Sequence, residues 1–278
     1  MTTPDDALFV PDGEALLPTD SARGPWSPDA LHGGPVAALL ARAVESCPPD
    51  APMLVTRLTI ELLRPVPVAP LTTSATVSRP GRKVQVVDAR LSAGGRDVAW
   101  ARALRIRVLP TGAATAGLPD PMAGPVPGRD ASAPLGLDAG HRSPEPDHVG
   151  GYRAFHSAGA EMRYVAGDFA ARGPAGVWVR LALAVVPGEP PTPLQRVAAA
   201  ADFGNGVSSE LDFARHSFIN ADLSVHLHRE ARGEWVCLEA ATTIGTPGVG
   251  VAQCALWDAH GPVGRSLQSL VIDTRRFS

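Results

Sequence analysis

Two segments of this chain, LTIELLR at residues 58–64 and LSVHLHR at 223–229, align at a separation of 165 residues. Downstream, Gly94-Gly95-Arg96-Asp97-Val98 meets His260-Gly261-Pro262-Val263 at nearly the same separation. Around both segments the order of expected elements is the same: a strand, a helix, then four strands. Such repetition constrains the architecture more than any other feature, because one local plan has to serve both halves. In the first copy, Gly33-Gly34 precedes a helix predicted over 35–46, where Leu, Val and Ala surround Arg42 and Glu45 on an otherwise apolar cylinder. Strand-like runs at 54–63, 71–78, 83–91 and 98–108 follow, broken at Arg64-Pro65, Pro80-Gly81 and Gly94-Gly95. Long antiparallel strands after one buried helix imply a sheet curled around that helix. The fold class expected is α+β, built from two helix-in-antiparallel-sheet units.

The 278 residues divide accordingly into an N-terminal unit (1–109), a segment at 110–150 and a C-terminal unit (151–278). A short strand and a loop are expected over 7–28. The 110–150 segment is rich in Pro, Gly, Ala and Ser and lacks periodicity, which reads as an extended linker on the surface. Strand patterns resume at 154–165 and 177–186. A net charge of −3 without a basic run argues against nucleic acid and anionic membranes as partners. No apolar run approaches the ~18 residues of a membrane span. The N-terminus, MTTPDDALFV, is unlike a signal peptide. Three scattered cysteines, Cys47, Cys237 and Cys254, form no CxxC pair. That suits a reduced cytoplasm and argues against a disulfide framework or a zinc site.

The second helix is the most informative local stretch. Thr192 can cap it, and Pro193 suits its first position, where no N–H is needed. Leu194, Val197, Ala198 and Ala201 recur at the spacing of one buried face, and Asp202, four residues after Ala198, joins them. A helix over 193–203 is expected, ended by Gly204 and Gly206. A carboxylate at a buried helix C-terminus is poorly placed for stability, since both the helix field and burial disfavour its charge. Asp202 is therefore the first candidate for chemistry. His32-Gly33-Gly34, ahead of the first helix, is a second: free N–H groups there can polarise a carbonyl or receive phosphate. His226-x-His228 puts two imidazoles on one strand face, but no third metal ligand accompanies them at recognisable spacing.

GGPVAALLARAVE, the TIELLRPVP strand, AAADFGNGV and INADLSVHLHR resemble the double-hotdog acyl-CoA thioesterases, the bacterial and peroxisomal type II group. The resemblance covers nearly the whole chain outside 110–150. It implies two hotdog units fused into one continuous antiparallel sheet around two central helices, with no cofactor. It also implies a homodimer or higher homo-oligomer, and an acyl-CoA substrate hydrolysed to free acid and CoA. The family's catalytic Asp, the polar residue that begins the next strand and the Gln of the last strand fall on Asp202, Asn220 and Gln268. Asn220 stands where many relatives carry threonine. The first-half counterparts of Asn220 and Gln268 are about Val55 and Ala103, so one active site per chain is implied.

An Asp flanked by two amides can remove a proton from a held water, as thioester hydrolysis requires. On VGRSLQSLVID, alternation puts Gly264, Ser266 and Gln268 on one face. Strict alternation would turn Asn220 to the face opposite Leu223, Val225 and Leu227, away from Asp202, unless a bulge precedes Asp222. No GxSxG elbow, P-loop or complete dinucleotide fingerprint is present. The DFGNGVS stretch carries no histidine of the kind hotdog hydratases place after their Asp. The remaining rival is a non-catalytic acyl-CoA or acyl-carrier binding protein of the same fold.

Overall fold

The computed structural model describes residues 6–109, 135–143 and 151–275. Strands β1 (Phe9–Asp12) and β2 (Ala15–Pro18) form a hairpin, followed by α1 (Gly33–Glu45). Next come β3 (Met53–Leu62), β4 (Leu71–Arg79), β5 (Val84–Ala93) and β6 (Arg96–Arg107). The second unit contains β7 (Ala160–Ala166), β8 (Ala175–Leu181), α2 (Pro193–Ala201) and the short α3 (Gly204–Val207). It ends with β9 (His216–Asn220), β10 (Asp222–Leu227), β11 (Trp235–Gly245), β12 (Val249–Asp258) and β13 (Gly261–Thr274). One sheet of 13 strands runs β1-β2-β4-β5-β6-β3-β10-β13-β12-β11-β8-β7, with β9 also paired to β13. The two helix-in-antiparallel-sheet units expected from the repeat are present, fused into the one continuous sheet that the double-hotdog resemblance implies.

The two units join where β3 meets β10, and the seam records their equivalence. Thr59 pairs with Ser224, which is its own counterpart 165 residues on (59 + 165 = 224). Leu58 faces Val225 and Ile60 faces Leu223, the same two positions exchanged between the copies. A pseudo-twofold axis therefore passes between Thr59 and Ser224, whose hydroxyl oxygens lie 3.3 Å apart. The inner pairing repeats too: Thr59 faces Arg102, and Ser224 faces Leu267, again 165 residues further on.

Both helices pack on the buried face of this sheet. All but three residues of α1 are buried, and α2 is buried from Leu194 to Ala201 except Arg196. They run antiparallel and very close. A Cβ on Gly34 would stand 2.9 Å from the Ala199 carbonyl oxygen and 2.6 Å from the Phe155 ring, so this glycine is fixed by contact rather than by backbone conformation.

Several boundaries differ from the sequence reading. Helix α1 starts two residues early, because His32 caps it and Pro35 falls within its first turn. Gly204 and Gly206 do not end α2 through a left-handed turn, as neither has a positive φ; Asp202 is the C-cap and α3 follows at once. The start of the run at 154–165 is a π-helical turn, Phe155–Gly159, and only Ala160–Ala166 is strand. The run at 177–186 leaves the sheet after Leu181, and its apolar end bonds instead to the N-terminal segment (Leu8 N–H to Ala184 O, 2.9 Å). Linker residues 110–134 and 144–150 lie outside the described residues. Residues 135–143 lie against β7 and β8, where the Trp178 indole donates to Leu135 O and His141 pairs with Tyr164.

At the α1 C-terminus, the buried Arg105 guanidinium donates to the Val44 and Cys47 carbonyls. The Glu45 carboxylate there accepts from the Thr192 hydroxyl (2.7 Å) and the Gln195 amide (2.9 Å) at the start of α2. Burial outweighs these donors and raises the Glu45 pKa above the usual carboxylate value. A raised carboxylate pKa means the folded state holds the proton more tightly than the unfolded chain. Its contribution is then present at low pH and is lost as pH rises toward the shifted value. Glu45→Gln is expected to gain in melting temperature relative to the parent between about pH 4 and pH 8. A difference that stays constant over that range would contradict this.

Candidate active site

Asp202 ends α2 and is 4% exposed. Its position at the negative end of its own helix is offset by the other unit: because the helices are antiparallel, the amino end of α1 lies beside the carboxylate. The contact is tight, since a Cβ on Gly33 would lie 2.5 and 2.6 Å from the two carboxylate oxygens. Glu45 occupies the related place at the other end of the helix pair, beside the amino end of α2. Each helix thus ends in a carboxylate received by its neighbour.

Asn220 reaches Asp202 through an irregularity in the sheet. Asn220 pairs with Leu270 and Ser224 with Leu267, so four steps on one side match three on the other. The extra residue, Ala221, bulges between β9 and β10 and turns Asn220 inward. Its Nδ2 donates to Asp202 Oδ1 at 2.9 Å and to Asp222 O at 3.2 Å. The alternation conflict in the sequence disappears at this bulge.

Gln268 lies on the buried face of β13, with Ser266 and Leu270 on either side. Its Nε2 donates to the Asp202 backbone carbonyl at 3.1 Å and stands 3.5 Å from Oδ1, while its Oε1 accepts from Asn205 N–H at 3.0 Å. Gly204 makes room for it, since a Cβ there would lie 2.8 Å from Gln268 Oε1 and 2.7 Å from Cys254 Sγ. Asn220 therefore addresses the carboxylate itself, while Gln268 chiefly holds the Asp202 and Asn205 backbone.

His32 holds the other oxygen. Its Nδ1 is 2.9 Å from Asp202 Oδ2 and 3.0 Å from the Gly34 N–H. One ring nitrogen cannot donate to a carboxylate and accept from an amide at once. Nδ1 therefore serves one of the two at a time, as donor to Asp202 or as acceptor from Gly34. The Asp202 stretch carries no histidine of its own, and sequence spacing could not show that the other unit supplies one 170 residues away (202 − 32).

His32, Gly33, Asp202 and Asn220 open onto a cavity of about 500 Å³, while Gln268 and Gly34 sit behind its wall. The rest of the cavity is mostly apolar, with Trp26, Leu31, Val36, Phe169, Phe203 and Phe213 among its lining. Five of the chain's seven phenylalanines (Phe155, Phe169, Phe203, Phe213, Phe218) pack on one another, on Trp26 or on His32 here, with ring centroids 4.5–5.6 Å apart. They are scattered in the sequence without period, so only the fold reveals the cluster. His156 also lines the cavity and was not a sequence candidate. His226 and His228 are both exposed, and among the described residues no group of three or more His, Cys, Asp or Glu could hold a metal ion.

Gly33→Ala should displace the Asp202 carboxylate and cost about 1–3 kcal/mol of stability, as overpacking of a filled site does. Thermal unfolding and a crystal structure of the variant check this. An unchanged melting temperature with Asp202 still on Asn220 would contradict it.

The profile of acyl-CoA thioesterase C-terminal domains matches residues 131–272, and that of the N-terminal domains matches 22–107. No protein of curated function matches the chain. Among solved structures, it is similar to a protein assigned as thioesterase II from Thermobifida fusca YX, with 20% identity, 96% of each chain covered and a TM-score of 0.72. A hot dog fold protein from Alicyclobacillus acidocaldarius covers 100% of each chain at 17% identity and a TM-score of 0.66. An acyl-CoA thioesterase II from Mycobacterium marinum shares 15% identity over 88% of this chain and 91% of its own, with a TM-score of 0.59. At these identities the structures speak to the fold, and the profile match speaks to the family. The chain is a double-hotdog member of the acyl-CoA thioesterase family, a thioester hydrolase.

Proposed function

We propose that this protein hydrolyses a fatty or similar acyl-CoA, with Asp202 as general base on the attacking water. The observation that carries the reading is the buried Asp202 carboxylate, fixed by Asn220 Nδ2 at 2.9 Å and His32 Nδ1 at 2.9 Å in the wall of an apolar cavity. An ionised carboxylate in such a place can accept a proton, and its donors keep it oriented without a reorganisation step. Asn220, where many relatives carry threonine, supplies the donor through its amide N–H.

The steps balance as follows. Water oxygen bonds to the thioester carbon while Asp202, assisted by His32, takes its proton. The carbonyl electrons form an oxyanion, favoured by the amino end of α1 beside Gly33. They then return, the C–S bond breaks, and the proton passes to the leaving sulfur. The products are the free acid and the thiol. Direct attack by Asp202 on the thioester carbon, giving a mixed anhydride, is the alternative route. The Trp26, Phe169 and Phe213 side of the cavity suits the acyl chain, whose burial is favourable at about 25 cal/mol per Å².

Asp202→Asn keeps the shape and removes the base. Its kcat on acyl-CoA is expected to fall about 100-fold or more, with a much smaller change in substrate affinity. Asn220→Ala, which removes one donor, should lower kcat by about 10-fold or more. Steady-state release of CoA, followed with a thiol reagent over several acyl lengths, reads both. Parental rates in Asp202→Asn would contradict the mechanism. Tight acyl-CoA binding by the parent without turnover would support a binding protein instead.

A further inference from the structure

The outer face of the sheet, turned away from the helices, is open around the seam between the units. Trp100 on β6, Leu267 on β13 and Val249 and Val251 on β12 point outward there and are 43–55% exposed. Large apolar side chains gathered on one face mark a contact surface. Further along the same face the sheet is already covered, where Leu137 packs with Trp178, Cys237 and Trp257. Both edges of the sheet carry a partner segment too. Leu8 and Phe9, at the start of β1, bond to Ala184 and Val185, and His141 pairs with Tyr164 of β7. The uncovered surface is therefore a face rather than an edge.

Charge is segregated along the strands at this face. Thr59, Ser224 and Leu267 form one row across β3, β10 and β13. Two residues to one side of the row, Glu61 and Asp222 stand directly opposite each other. Two residues to the other side, Arg57, His226 and Arg265 stand abreast. Like charges facing across strands disfavour the isolated sheet. The repeat does not impose them, since the counterparts of Glu61 and Arg57 are His226 and Asp222 (61 + 165, 57 + 165). The two copies thus differ in a way that collects acids on one side of the row and bases on the other.

We propose that this face docks a second copy of the chain, with a twofold axis lying in the interface along the Thr59–Ser224–Leu267 row. Rotation about that row keeps each strand over its own copy and exchanges its two ends. Glu61 then meets the partner's Arg57, and Asp222 meets the partner's His226. Leu267, on the axis, meets the partner's Leu267. Trp100 lies level with Glu61, and Leu104 level with Arg57, so Trp100 meets the partner's Leu104. Val251 meets the partner's Ala255 in the same way. Strand directions stay aligned, as the packing of two sheets about 10 Å apart requires. The face is complementary to itself, which selects a second copy over an unrelated partner.

The test is the mass of the full chain in solution, read by analytical ultracentrifugation across a dilution series. The parent is expected at twice the mass of one chain. Glu61→Arg places arginine against the partner's Arg57 twice per dimer and should weaken association by about 100-fold or more. Arg57→Glu should do the same by setting two acids together. The double variant Glu61→Arg with Arg57→Glu restores the pairs and should return to the parental mass. Leu267→Asp brings two carboxylates together on the axis and should give single chains. None of these three residues lines the reaction cavity, and an unchanged circular dichroism spectrum separates loss of contact from loss of fold. A parent with the mass of one chain would overturn the proposal. So would a dimer that keeps its affinity in both Glu61→Arg and Leu267→Asp, because another surface would then hold it. Weakened single variants that the double variant does not rescue would overturn the pairing of Glu61 with the partner's Arg57, and the axis with it.

Discussion

Everything at the proposed site depends on one buried carboxylate held between two antiparallel helices. Asp202 ends α2, where the helix field opposes its charge, and it is stable there because α1 presents its amino end at Gly33. That arrangement needs a side-chain-free position in α1, a close helix crossing at Gly34 and Ala199, and a sheet wide enough to cover both helices. The repeat supplies all three, since two copies of one unit bring two central helices head to tail. The carboxylate is thus a product of the fusion: its helix comes from one copy and its helix-end and imidazole partners from the other.

The pseudo-twofold symmetry is close in the backbone and broken in the chemistry. Thr59 and Ser224 meet across the axis, and both helices end in a carboxylate beside the neighbouring helix. At one end Asp202 meets Asn220, Gln268 and His32 at the edge of a large apolar cavity. At the other, Glu45 is tied to Thr192 and Gln195 beside a space of about 210 Å³, and Arg105 caps α1 where the second unit has Leu270 at the related position (105 + 165). At one end the carboxylate joins the two helices, and at the other it lines the larger, mostly apolar cavity. Val55 and Ala103, at the places related to Asn220 and Gln268, offer no hydrogen-bonding side chain to Glu45.

The parts of this arrangement that repeat or recur with a period were legible in the chain. The 165-residue repeat gave the two units, and the Leu194–Ala201 spacing put Asp202 on a buried face. Alternation on β13 put Gln268 on one face with Gly264 and Ser266, without saying which face is buried. What depends on departures from regularity was not legible. Alternation alone would turn Asn220 outward, and only the extra residue at Ala221 reverses it. The glycines at 33, 34 and 204 look like helix breakers in sequence, yet each is required by a neighbouring atom at less than 3 Å from a would-be Cβ. His32 was placed near the thioester as a helix-end residue, while its contact with Asp202 depends on how two distant segments meet. His156 had no signal at all, because a π-helical turn inside a strand-like run changes which way a side chain points.

The proton-transfer role of Asp202 is tested most directly by a single turnover of acyl-CoA in oxygen-18 water, with enzyme in excess. If the clamped carboxylate activates water, the label enters the released acid in the first turnover and the peptide bearing Asp202 stays unlabelled. Label in that peptide, with an unlabelled acid from the first turnover, would show attack by the carboxylate and contradict the account.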